Sequence, residues 1–173
     1  MQIRDIRVGD EEQFTALIQE VENHAQYMLY EPGERKATVE SQRKMIEAMI
    51  KEENSTMLVA EDEGELVGYL VARGGFARRT RHTLYLVIGI RKEYRGQGIG
   101  KMLFTEIEKW AIEHQVHRLE LTVAAENEAG IGLYQKMGFE IEGRKRDSLY
   151  IDGRYVDEYY LAKLLGAQVG EAQ

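Results

Sequence analysis

Residues Leu84–Ile90 form an almost unbroken apolar stretch, and Arg95-Gly96-Gln97-Gly98-Ile99-Gly100-Lys101 follows it, directly ahead of an amphipathic segment. No other part of the chain restricts its local structure so tightly: a buried strand, a tight turn and the start of a helix, in that order. Glycine lets the backbone turn sharply and approach a ligand without a Cβ in the way. The first N–H groups of the following helix have no partner inside it and carry the positive end of its dipole. Together these make a site for phosphate, to which Arg95 and Lys101 add formal positive charge.

Two familiar phosphate loops do not fit. In a P-loop, Arg95 would stand at the first glycine and Met102 at the metal-binding hydroxyl. In a dinucleotide fingerprint counted from Gly96 and Gly98, the third glycine falls on Lys101. The spacing present is R-x-x-G-x-G. Downstream stands Asn127-Glu128-Ala129-Gly130-Ile131-Gly132-Leu133-Tyr134-Gln135-Lys136-Met137-Gly138-Phe139. The two segments resemble the pyrophosphate motif and the N-x-x-A-x-x-L-Y-x-K-x-G-F element of the GNAT family, the GCN5-related N-acetyltransferases. Gly130 takes the place where alanine is usual. The resemblance extends over nearly the whole chain.

Composition narrows the alternatives. A chain of 173 residues can bury a core as one domain, expected here over 1–165 with a frayed tail over 166–173. Zero cysteines exclude disulfides, thiolate metal sites and a cysteine nucleophile. The four histidines show no metal-ligand spacing, so no metal is expected. No apolar run approaches membrane-spanning length, and the N-terminus lacks a signal-peptide core, which points to a cytoplasmic protein without membrane attachment. A formal charge of −7 argues against nucleic-acid binding and favours cationic substrates.

Periodicity predicts a strand over Ile3–Val8 and a helix capped by Asp10, with Gln13 three residues on and Phe14, Leu17, Ile18 and Val21 on its apolar face. Glu31-Pro32-Gly33-Glu34 reads as a turn. Thr38 caps a second helix with Met45, Ile46, Met49 and Ile50 inward. Strands over Thr56–Asp62 and Glu65–Arg73 form a hairpin about Glu63-Gly64. Arg73–His82 is a basic connection, read as a solvated loop. Leu84–Ile90 is apolar enough to be covered on both faces. Ile99, Met102, Leu103, Ile107, Trp110, Ala111 and His114 recur at helical spacing, which makes Trp110 a core residue. A strand over Arg118–Ala124 and a helix over Glu128–Lys136, ended by Gly138, precede a hairpin of Ile141–Ile151 and Arg154–Leu164 about Asp152-Gly153. This β-α-α-β-β-β-α-β-α-β-β order matches the α/β GNAT fold, a mixed, strongly twisted sheet with helices on both faces.

The resemblance carries function as well. It implies an acetyl-CoA-dependent N-acetyltransferase in which the backbone of Ile88, Gly89 and Ile90 pairs with the pantetheine arm like an added strand. One N–H there would polarise the thioester carbonyl. It further implies that the amides of Arg95, Gly96, Gln97, Gly98, Ile99, Gly100 and Lys101 hold the pyrophosphate, that Asn127 bonds the cofactor arm while capping a helix, and that Tyr134 protonates the departing thiolate. Many relatives carry a general-base glutamate five residues before the asparagine; Thr122 stands there, so no base is assigned. Glu120, two residues earlier on the same strand face, is an exposed carboxylate and a water relay would serve equally. The Tyr- and acid-rich 144–160 hairpin reads both as a wall of the acceptor pocket and as outer-face sheet pairs. The acceptor expected is a small primary amine: a polyamine, an amino acid or an amine-bearing antibiotic. A protein N-terminus or lysine, and a non-catalytic acyl-CoA-binding regulator, are the alternatives. Homodimers are common in the family; no residue places an interface.

Overall fold

The computed structural model describes residues 1–166. Alternating or wholly apolar segments pair into a seven-stranded mixed sheet: β1 (Gln2–Asp5), β2 (Thr56–Asp62), β3 (Glu65–Gly74), β4 (Thr83–Ile90), β5 (Arg118–Ala124), β6 (Glu140–Ile151) and β7 (Arg154–Leu164). Their order across the sheet is β1-β2-β3-β4-β5-β7-β6, and only β4 and β5 run parallel. Helices α1 (Glu11–Asn23) and α2 (Val39–Ile50) cover one face; α3 (Ile99–Glu113) and α4 (Glu128–Lys136) lie on the other.

Strand side chains alternate between two cores, as a period of two requires. Phe14, Leu17, Ile18 and Val21 of α1 bury with Met57, Val59 and Tyr69. Leu103, Phe104 and Ile107 of α3 bury with Leu70, Leu84, Leu86, Leu119 and Leu121. The central strands therefore read as apolar on both sides of the sheet, while the outer β6 is exposed along most of its length. Asp152 and Gly153 both take positive φ, 50° and 78°, the type I′ geometry that matches strand twist.

The expected mixed α/β fold and its element order are present, and several local expectations are corrected. β1 stops at Asp5 because the backbone then turns so that the Asp10 carboxylate accepts the Arg7 amide at 2.9 Å. Asp10 occupies the cap position of α1 but its side chain does not cap; it is held by Arg4 at 2.8 and 2.9 Å. Gln13 reaches across to the β2–β3 turn instead, accepting from the Leu66 amide. Thr38 does cap α2, in a reciprocal box with Ser41. Ile50 lies outside the buried stripe, 55% exposed. Trp110 is half-buried, packing against the margin of the α3 core and stacking on His114 at 3.8 Å. Within the basic connection, Arg78–Thr80 makes one turn of 3₁₀ helix. β4 is covered fully on one face only: Tyr85 and Val87 remain exposed beyond the reach of α1 and α2. The tail expected over 166–173 falls, from residue 167 on, outside the described residues.

Candidate active site

β4 and β5 are paired over three residues only: Thr83 with Arg118, Leu84 with Leu119 and Tyr85 with Glu120. Beyond that point they diverge, and Leu86–Ile90 faces a V-shaped opening. The hydrogen-bond phase of the β3–β4 ladder decides which backbone groups enter it. The Arg91 amide donates to Val67 O at 3.0 Å and the Gly75 amide to Thr83 O at 3.1 Å. Tyr69 and Gly89 belong to the same alternation, so they exchange their N–H and C=O groups with each other. Ile88 and Ile90, in the non-bonded positions, turn theirs toward the opening. Of the three residues expected there, Gly89 thus keeps its N–H and C=O within the β3–β4 ladder, and its neighbours present their amides.

The glycine loop closes the wide end of the V. Gly96 and Gly98 have φ of 75° and 84°, a left-handed conformation that a side chain would strain. Gly98 is the N-cap of α3, and no side chain caps that terminus. The Arg95 amide is already bonded to Lys92 O, and the Arg95 guanidinium donates to Ile90 O at 3.1 Å and to His24 O at 3.4 Å. Arg95 therefore fastens the loop to the ends of β4 and α1. The six amides of Gly96 to Lys101 have no protein acceptor among the described residues. A nest of unpaired N–H groups at a helix start fits a pyrophosphate. Lys101 is exposed beside it.

α4 brings Asn127 and Tyr134 to the α3 side of the same opening. Asn127 Oδ1 accepts the Gly130 amide at 3.0 Å, capping α4, and leaves both Nδ2 protons available. A Cβ on Gly130 would lie 2.6 Å from that Nδ2, so glycine here gives the amide room to fold back. Tyr134 packs edge-on against Phe104 and Phe139, at 5.7 and 6.2 Å. Burial, with a smaller push from Tyr85, raises its phenol to about 12.

On the opposite face a pocket of about 340 Å³ begins where β4 and β5 part. Tyr85, Arg118, Glu120, Thr122, Glu142 and Tyr160 line it. Tyr85 and Thr122 share a hydrogen bond of 2.9 Å between their hydroxyls. Glu120 is bonded to Arg118 at 2.7 Å, and the same guanidinium grips Glu142 through two bonds. The hairpin divides between its two readings: Tyr160 walls the pocket, while Tyr150 and Tyr155 meet edge-on at 5.2 Å near the turn, largely exposed.

Two residues escaped the sequence reading. Tyr69 of β3 lays its ring across Gly89; a Cβ there would be 2.5 Å from Cε1 and 2.7 Å from the hydroxyl oxygen. Glu22, near the end of α1, is buried with its Oε1 3.0 Å from Arg35 Nε. A glycine inside an otherwise apolar strand was the available signal, since it marks a close approach.

The chain is similar to known proteins over most of its length. A family model described as the acetyltransferase (GNAT) family matches residues 15–139. The L-amino acid N-acetyltransferase AaaT of Escherichia coli K12 is 33% identical over 111 residues, 62% of this chain and 67% of that protein. A GNAT-family acetyltransferase from Streptococcus pneumoniae superposes with a TM-score of 0.91 at 30% identity, over 95% of this chain and 99% of that one. A phosphinothricin acetyltransferase from Sinorhizobium meliloti, solved with acetyl-CoA, gives a TM-score of 0.83 at 23% identity, over 95% and 88% of the chains. At that level of identity it shows a shared fold.

Proposed function

This chain belongs to the GNAT acetyltransferase family, and from that premise we propose that it transfers the acetyl group of acetyl-CoA directly to the primary amine of a small molecule, amino acids foremost. The observation that carries the reading is the V between β4 and β5, with unpaired backbone along one arm and six unpaired amides across its mouth. A strand-like pantetheine arm satisfies the first set and a pyrophosphate the second. The Ile88 and Ile90 amides face the thioester, and one of them holds the carbonyl oxygen as it gains charge. Asn127 Nδ2 has donors to spare for the arm.

The amine enters from the Tyr85–Thr122 face and attacks the carbonyl carbon without a covalent enzyme intermediate. The bond from carbon to sulfur then breaks, the thiolate departs toward Tyr134, and the proton released by the nitrogen neutralises it. A phenol held near 12 keeps its proton throughout the working range, so it is always a donor. Full transfer to a thiolate whose ordinary pKa is about 8.5 runs uphill. Tyr134 accordingly stabilises the developing thiolate by hydrogen bonding. The cytoplasm is the proposed compartment; no helix among the described residues is long and apolar enough to cross a membrane.

The test is CoA release with acetyl-CoA against amino acids, polyamines, aminoglycosides and N-terminal peptides. Acceleration by amino acids or another small-amine class is the expected result. Acceleration by peptides alone moves the assignment to a protein N-terminus. Tight acetyl-CoA binding with no turnover on any of them contradicts small-molecule transfer.

A further inference from the structure

The acceptor side of the sheet carries more than room for an amine. Leu84, Leu86, Leu119, Leu121 and Val123 point into the α3 core, so the alternate residues Tyr85, Val87, Glu120 and Thr122 share the other face. That face is open at Tyr85 and Val87. The pocket of about 340 Å³ lies there, with Arg118, Glu142 and Tyr160 completing its polar walls. Ligand pockets run from about 300 to 1,000 Å³, so this one holds a group of side-chain size and not a peptide.

Charge in the pocket is unequal. Arg118 is the one cation among the lining residues. Its Nε donates to Glu120 Oε2 at 2.7 Å, and its two terminal nitrogens donate to Glu142 at 2.8 and 2.5 Å. Both bonding edges of the guanidinium thus face carboxylates, and neither is left for an anionic ligand. Two carboxylates against one guanidinium leave a negative charge over. Lys145, 5.8 Å from the centre of the Tyr160 ring, does not offset it, because Glu158 pairs with it at 3.6 Å. Glu120 Oε1 accepts no hydrogen bond among the described residues. The Tyr85 and Thr122 hydroxyls, bonded to each other at 2.9 Å, also keep lone pairs. Free acceptors beside surplus negative charge suit an ammonium or a guanidinium, which only donate.

Distance places this cation on the acceptor molecule. Tyr85 is the last residue of β4 paired with β5, and Ile88 is the first whose amide is turned to the opening where the thioester is placed. Three residues of strand span roughly 10 Å at about 3.3 Å each. Between them on this face stands Val87, apolar and exposed. A molecule that reacts beside Ile88 and reaches the pocket therefore needs an apolar spacer and then a charge. We propose that the pocket selects acceptors carrying a second cationic group, an ammonium or guanidinium, across an apolar spacer from the reacting amine, with Glu120 as the specificity-determining contact. This rests on the acetyl-transfer reading of the β4–β5 opening. A basic amino acid reacting at its α-amine and a free polyamine share that chemistry.

The experiment measures kcat/KM for matched acceptors that differ only in the charge of the far end: arginine against citrulline, and 1,8-diaminooctane against 8-amino-1-octanol. The parent should prefer the charged member of at least one pair by about 10-fold, the size of one half-exposed ion pair. Preference in the arginine pair assigns the pocket to basic amino acids, and preference in the diamine pair assigns it to polyamines. Glu120→Gln should bring the ratio close to one, and Glu120→Lys should reverse it, with acetyl-CoA affinity as in the parent. The ratio within a pair separates recognition from packing, because a merely structural loss lowers both members alike. Glu142→Gln removes the same surplus charge and decides the matter if the Glu120 variants fail to fold. A parent ratio near one in both pairs overturns the proposal, as does a preference that survives Glu120→Gln and Glu120→Lys unchanged. No turnover on any acceptor overturns the acetyl-transfer reading itself, whereas turnover without preference overturns only the charge selection.

Discussion

Tyr134 shows how surroundings set the task of a single side chain. Enclosed by Phe104 and Phe139, its phenol is desolvated, and desolvation penalises the phenolate. Removing only the hydroxyl in Tyr134→Phe is expected to lower kcat by about 100-fold with acetyl-CoA affinity unchanged. Because the group ionises only near 12, the parent and the variant should share one pH profile from 6 to 9. Steady-state rates with the best amine across that range check both points. Tyr134, Asn127 and the glycine loop could be proposed from the sequence because the spacing within each of two short segments defines them. The approach of Tyr69 to Gly89 could not, since strand register joins residues far apart in sequence.

Elements were easiest to read where period and capping agree. Arg118–Ala124 and Glu128–Lys136 form over the residues that their patterns define, and Thr38 caps α2. The first strand was misjudged by tertiary chemistry. Arg4 holds Asp10 through two bonds and Glu61 through a third, so the carboxylate that would have capped α1 instead ties β1, β2 and α1 together. Burial works against the ionised Asp10, but Arg4 and the Arg7 amide outweigh it and hold the carboxyl below its ordinary value. Asp10→Asn should cost about 2 kcal/mol at neutral pH, since Arg4 keeps Glu61 but loses a charged partner. A depressed carboxyl contributes stability above its unfolded pKa and loses it as pH falls through the folded one. Urea unfolding at pH 7 and at pH 3 should therefore show the gap between parent and variant narrowing in acid. Coverage of β4 was the other element misread. Its composition suits burial on both faces, but Tyr85 and Val87 are left open where the acceptor side begins.

At the scale of the molecule, a parallel pair abandoned after three residues turns an ordinary mixed sheet into a cofactor cleft. No motif announces that divergence: past Tyr85 and Glu120, β4 stays paired with β3 and β5 with β7. The account stands or falls on where acetyl-CoA lies. Amide hydrogen exchange, resolved by NMR with and without acetyl-CoA at about 100 times its Kd, reads this residue by residue. Exchange should slow by up to about 100-fold at Ile88, Ile90 and Gly96 to Lys101. Gly89 and Arg95, whose amides are already paired within the protein, should change far less. Protection gained elsewhere, with these amides unaltered, would contradict the assignment of the β4–β5 opening as the acetyl-CoA site.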